Sequence, residues 1–121
     1  MVNALFDTNI LIDFLLGREQ ARRELSRHAI RRISILSWME VMVGTDESTE
    51  SLTRAFLDGF DVVPVTQEVA ERAVDLRRRH RIKLPDAIVW ASAQIAQCEL
   101  VTRNTRDFRA GTTGVRIPYR A

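Results

Sequence analysis

The chain has 121 residues, 45% of them hydrophobic and 28% charged, and 18 basic against 16 acidic side chains leave a net charge of +2. That length and mixture make a single domain, 1–121, with a core of its own, and exclude wholesale disorder. No apolar run reaches the roughly 18 residues of a membrane span, and no basic segment leads into an apolar one at the start. The single cysteine, Cys98, excludes an internal disulfide and a clustered-cysteine zinc site.

In chain order, Val2 to Phe6 is a short apolar strand that stops at Asp7. Asp7 or Thr8 caps a helix through Leu16, which Gly17 ends. Ala21, Leu25 and Ala29 recur every four residues and predict a helix from Glu19 to about Ile30. Ile33 to Leu36 reads as a strand, and Ser37 as the cap of a short helix, Trp38 to Val43. Leu52, Phe56 and Phe60 share one face of a helix beginning near Glu47. Asp61 to Val65 is a third strand, with Pro64 marking an edge. Thr66 caps a helix whose inner stripe is Val69, Ala73 and Leu76 and whose end carries Arg77, Arg78, Arg79 and Arg81. Pro85 suits the first turn of a helix to about Gln97, apolar nearly all round and therefore central. Glu99 to Thr102 is a fourth strand, Asn104 to Phe108 a turn or short helix, and Val115 to Ile117 a last strand.

Alternating strands and helices predict a mostly parallel sheet covered on both faces. In such sheets function sits beyond the carboxyl ends of the strands. Asp7 follows the first strand there, and Asn104 and Asp107 follow the fourth. Glu40 lies three residues past the Ser37 cap, and Asp86 is in the first turn of the central helix. Carboxylates packed together repel unless a cation occupies the site. Oxygen-only ligands suit a hard ion, magnesium or manganese, which lowers the pKa of bound water and stabilises charge on a phosphate. For Glu40, flanked by Trp38, Met39, Val41 and Met42, a solvated face is harder to claim, but the other three acids each have a plainer reading. Asp7 serves as a helix cap, Asp86 complements a helix dipole, and Asp107 pairs within its turn with Arg103 or Arg106.

The segments Phe6-Asp7-Thr8-Asn9-Ile10-Leu11-Ile12-Asp13, Ser37-Trp38-Met39-Glu40, Leu84-Pro85-Asp86-Ala87 and Leu100-Val101-Thr102-Arg103-Asn104-Thr105-Arg106-Asp107-Phe108 resemble the four signature segments of PIN-domain ribonucleases, most of all VapC-type toxins of toxin–antitoxin pairs. The resemblance spans nearly the whole chain and implies a three-layer α/β/α sandwich on a parallel sheet of about five strands. It implies an acidic pocket holding Mg²⁺ or Mn²⁺ and hydrolysis of single-stranded regions of RNA. Asp7 and Asp86 are then the metal ligands, Glu40 binds metal or activates water, and Asp107 completes the quartet. Asn9 orients Asp7. Many relatives carry an acid where Asn104 stands, so Asn104 and Asp107 compete for the fourth role. A homodimer, a cognate VapB-type antitoxin, operator DNA reached only through that antitoxin, and a cytoplasmic location without membrane contact are further implications.

Rival readings fit less well. A receiver domain wants a Lys after a late strand, whereas the lone Lys83 precedes a helix. A phosphatase with Asp7 as nucleophile wants a second Asp where Asn9 stands. A catalytically silent PIN scaffold that binds RNA or a partner stays open beside the enzyme. His28 and His80 fall on arginine-rich, solvated stretches, Cys98 reads as a packed small residue, and Trp38 and Trp90 as core or interface. Seventeen of the 18 basic residues are Arg, which suits phosphate recognition. GC-rich codons produce the same excess.

Overall fold

A computed structural model describes residues 3–120. The elements run β1 (Asn3–Phe6), α1 (Thr8–Leu15), α2 (Glu19–Ser26), β2 (Arg31–Ser34), α3 (Ile35–Val43), α4 (Glu50–Leu57), β3 (Asp61–Val63), α5 (Gln67–His80), α6 (Leu84–Ile95), β4 (Cys98–Val101) and β5 (Val115–Arg116). The five strands form one sheet in the order β3-β2-β1-β4-β5, every neighbouring pair parallel. Val2, expected to open the first strand, lies outside the described residues. No described helix is long and apolar enough to cross a membrane.

A strand covered on both faces must be apolar where it is buried, and Ala4, Leu5 and Phe6 of β1 meet that demand at the centre of the sheet. The strand's side chains alternate between two cores. Leu5, with Leu100 of β4, packs against Val69, Ala73 and Leu76 of α5 and Ala87 and Trp90 of α6. Ala4, Phe6 and Val101 face Ile10 and Leu11 of α1, Leu25 of α2 and Leu57 of α4. These layers are the expected α/β/α sandwich. Each Leu or Phe fully buried in it contributes about 1.5–3 kcal/mol. The central helix α6 buries Ala87, Val89, Trp90, Ala91, Ser92 and Ala93, and its run of small residues lets it lie close to the strands.

Several boundaries differ from the sequence reading. The second strand occupies Arg31–Ser34, and α3 starts at Ile35 because Ser34 caps it, its hydroxyl accepting from the Leu36 N–H at 3.1 Å. Ser37 is instead buried inside the first turn, so Glu40 stands six residues past the true cap. The second helix stops at Ser26, and Ala29 and Ile30 are exposed where the chain turns into β2. Glu24 gives that helix its real anchor: it is buried and accepts from Arg116 of β5 at 2.7 and 2.9 Å. In α4 the inward residues are Thr53 and Leu57, while Leu52 is 78% exposed. Phe56 is half-buried, stacked on Phe14 at 4.7 Å, and Phe60 is buried beyond the helix end. The third strand ends at Val63 before Pro64 and forms one edge of the sheet, as expected. Thr66 caps α5 through the Val69 N–H at 3.2 Å, a contact worth about 1 kcal/mol.

Candidate active site

The carboxyl ends of β1 and β4 lie side by side, with Phe6 opposite Val101, so the next residues, Asp7 and Thr102, meet. The Asp7 backbone N–H continues the ladder to the Val101 carbonyl at 2.9 Å. Its extended backbone makes Asp7 the cap of α1, with Oδ1 accepting from the Thr8 N–H at 2.8 Å. Oδ2 accepts from the Thr102 hydroxyl at 2.8 Å and from Asn9 Nδ2 at 3.2 Å. Cap and site acid are thus one residue with two oxygens in different roles. Asp7 is 5% exposed. Burial pushes its pKa up, against the Thr102 hydrogen bond.

Thr102 is a site residue that the sequence reading did not single out. It is fully buried, donates to Asp7, and accepts from Asn9 Nδ2 at 3.2 Å and the Asn104 N–H at 3.1 Å. Only strand register, which motif spacing does not carry, places it beside Asp7. Asn9 donates to Asp7 Oδ2, as noted, and also accepts from the Arg103 N–H at 3.3 Å.

Glu40 reaches the site from α3. It is exposed and accepts from the Thr8 hydroxyl at 2.7 Å. Asp86 enters from the first turn of α6, half-buried. Its pKa is pushed up to about 7 by burial, by a hydrogen bond with Asp107 and by the charges of Asp7 and Asp107. Asp107 moves down, because Asn104 Nδ2 donates to it at 3.0 Å and it takes the hydrogen bond from Asp86. Asn104 also accepts from the N–H groups of Arg106 and Asp107, both at 3.2 Å, and so folds the turn that presents Asp107. Asn104 and Asp107 therefore occupy the site together, joined by a hydrogen bond. Asp107 pairs with Asn104, not with Arg103 or Arg106 as its plainer reading expected.

These side chains line a cleft of about 550 Å³, with Glu40, Asp86 and Asp107 among its walls and Lys83, Arg103 and Arg106 at its rim. Asp7 is buried below. Among the described residues no three His, Cys, Asp or Glu side chains already close on one point. The all-oxygen donor set and a carboxyl held protonated by its acidic neighbours fit a divalent cation.

The remaining candidates lie elsewhere. His28 is not solvated as expected: its side chain is 15% exposed and sits 3.1 Å from Glu24. His80 lies on Trp90 with ring centroids 4.7 Å apart. Cys98 is buried and free, and Trp38 lies beneath Arg54.

A fully parallel sheet with acids gathered over its carboxyl edge defines a class, the α/β sandwich built around an acidic cleft. Residues 4–111 match the PIN domain family, and the chain belongs to that family. It is 31% identical over 112 residues to Ribonuclease VapC10 of Mycobacterium tuberculosis, covering 86% of this chain and 84% of the relative. Its fold superposes on a toxin–antitoxin complex from Klebsiella pneumoniae at TM-score 0.93 and 48% identity, over 98% of this chain and 100% of that one. DNA-bound VapBC from Salmonella typhimurium shares the fold at TM-score 0.76 and 20% identity, over 97% of each chain.

Proposed function

We propose that the chain is a metal-dependent endoribonuclease that hydrolyses phosphodiester bonds in single-stranded regions of RNA. In this reading it is the toxin of a VapBC-type pair, held in check by a VapB-type antitoxin. The observation that carries the proposal is the donor set of the cleft: Asp7, Glu40, Asp86 and Asp107, all oxygen, with Asp86 driven to about 7 by its neighbours. Mg²⁺ or Mn²⁺ bound there supplies Lewis-acid stabilisation of phosphate charge and a water of lowered pKa.

Asp7 and Asp86 would hold the ion, and Glu40 and Asp107 would position the attacking water or a second ion. Thr102 and Asn9 fix the direction of the Asp7 carboxylate. Asn104 holds Asp107 in place. Lys83 and Arg106, which also line the cleft, suit backbone phosphates. The test is cleavage of pooled cellular RNA by the purified protein with Mn²⁺ or Mg²⁺, against EDTA and Asp7→Asn. Asn still caps α1, so the variant is expected to fold and to lose cleavage. Full activity in Asp7→Asn, or no cut with either metal, would overturn the reading.

The antitoxin site in this proposal is a groove of about 380 Å³ between α1, α3 and α4, lined by Ile12, Leu15, Leu16, Val41 and Leu52. Leu16 and Leu52 are 80% and 78% exposed there, as an unpartnered apolar surface for a helix or strand would be. Glu40 borders both groove and acidic cleft, so a segment filling the groove reaches the site. The same proposal has a homodimer working in the cytoplasm, with operator DNA contacted through the antitoxin alone.

A further inference from the structure

A second cavity, of about 350 Å³, adjoins the acidic cleft, with Arg79, His80, Trp90, Asp107, Phe108 and Arg109 among its walls. Asp107 borders both cavities, so whatever fills the second is next to a phosphate held in the first. Its volume lies within the roughly 300–1,000 Å³ of small-molecule sites. Its lining is aromatic: the His80 ring is tilted at 54° to the Trp90 indole with centroids 4.7 Å apart, and Trp90 meets Phe108 edge-on at 5.4 Å. Trp90 is 5% exposed, and its indole Nε1–H has no acceptor among the described residues. Buried donors without a partner are uncommon. Arg109 has no carboxylate within ion-pair distance among the described residues, and Arg79 is held only by Asp75, at 3.2 Å on the helix surface.

The chemistry narrows the occupant. Guanidinium groups at the rim argue against a purely apolar ligand, and a single carboxylate argues against a metal ion. A flat ring to lie against the imidazole and an anionic group for the arginines occur together in a nucleotide. Bases in single-stranded RNA are free to splay out and stack on such side chains. We propose that this cavity is a nucleotide subsite. It takes the nucleotide adjoining the scissile phosphate, with its base against His80 and its phosphate on Arg79 and Arg109, and so selects which bond is cut. The proposal rests on the ribonuclease reading above.

The test begins without catalysis. The chain has only two tryptophans, Trp38 and Trp90, so ¹⁵N-labelled protein shows two indole N–H resonances, which Trp38→Phe assigns. In EDTA, each of the four nucleoside 5′-monophosphates is titrated, with inorganic phosphate as the comparison. We expect the Trp90 resonance to shift with a nucleotide while that of Trp38 stays in place, and the shift to vanish in the His80→Ala/Arg109→Ala variant. Both substituted residues are exposed, and the dispersion of the same spectrum reports whether the variant is folded. The same shift with inorganic phosphate alone would reduce the site to an anion site and overturn the proposal, as would no shift with any nucleotide.

With metal and pooled RNA, His80→Ala is expected to raise KM about tenfold, the scale of one lost base stack, and Arg109→Ala to raise it about tenfold as well through the lost charge-assisted phosphate contact. They should leave kcat little changed and redistribute the cut positions, and His80→Phe should restore the KM. Unchanged KM and cut positions in both alanine variants, beside an active wild type, would overturn the subsite and leave the ribonuclease standing. A wild type that cuts nothing fails the enzyme reading separately, and the Trp90 resonance then decides the nucleotide site.

Discussion

Asp86 sits half-buried between Asp7 and Asp107 and keeps its proton up to about pH 7, against 3.8 for the same carboxyl when unfolded. Between those values the folded, metal-free protein binds more protons than the unfolded chain, so stability falls as pH rises through that window. Asp7, whose pKa is also raised, acts in the same direction. In EDTA, Asp86→Asn is therefore expected to melt at a higher temperature than wild type at pH 7, the gap closing toward pH 4. Mg²⁺ or Mn²⁺ should close it too by stabilising the wild type. Thermal unfolding across pH, with and without metal, measures both effects. A gap that stays constant from pH 4 to 7 would count against the shared charge. The site thus gives up stability to hold like charges together, a pattern common where a ligand relieves it.

At the scale of elements, one buried carboxylate outside the quartet ties three segments together. Asp13 of α1 accepts from Arg103 after β4 through Nε and, at 3.2 Å, Nη2, and from the Tyr119 hydroxyl at 2.8 Å. Arg18 stands over the Tyr119 ring at 4.5 Å. Burial alone would raise the Asp13 pKa, but the Arg103 and Tyr119 hydrogen bonds and the two arginine charges bring it below 3.8. Its stabilisation is therefore full above pH 3.8 and lost as pH falls through the lower folded value. Asp13→Asn leaves Arg103 without its counter-charge. Because Arg103 is itself partly exposed, the expected cost at pH 7 is about 2 kcal/mol, shrinking in acid, as urea denaturation would measure.

Motif order revealed the sheet class, the acids and their common edge, because a βα turn leaves its mark in a few consecutive residues. Thr102, Asp13 and Tyr119 stayed hidden, since each acts on a partner about 90 or more residues away. The misplaced start of α3 has a local cause: Ser34 and Ser37 are both good caps. Tertiary packing, which buries Ser37 against Thr8 at 2.9 Å, decides between them.

On the scale of the whole molecule, the apolar groove and the acidic cleft are neighbours that share Glu40. Inhibition and chemistry are then separable by mutation. Leu16→Arg and Leu52→Arg, both at exposed positions, are expected to leave RNA cleavage intact. Each should weaken the antitoxin complex by about thirtyfold or more, the scale of an interface hot spot. Pull-down with a VapB-type antitoxin, alongside the cleavage assay, separates the two effects. Loss of cleavage in a folded variant would mean that the groove belongs to the enzyme itself.

The pairing of β1 with β4 carries a consequence for synthesis. Asp7 emerges from the ribosome early, but its Thr102 and Arg103 neighbourhood and Asp107 follow only after some ninety further residues. A nascent or prematurely terminated chain that ends before β4 has three of the acids and no cleft to hold them. Such a fragment is expected to carry Asp7, Glu40 and Asp86 without the strand whose Thr102 fixes the Asp7 carboxylate.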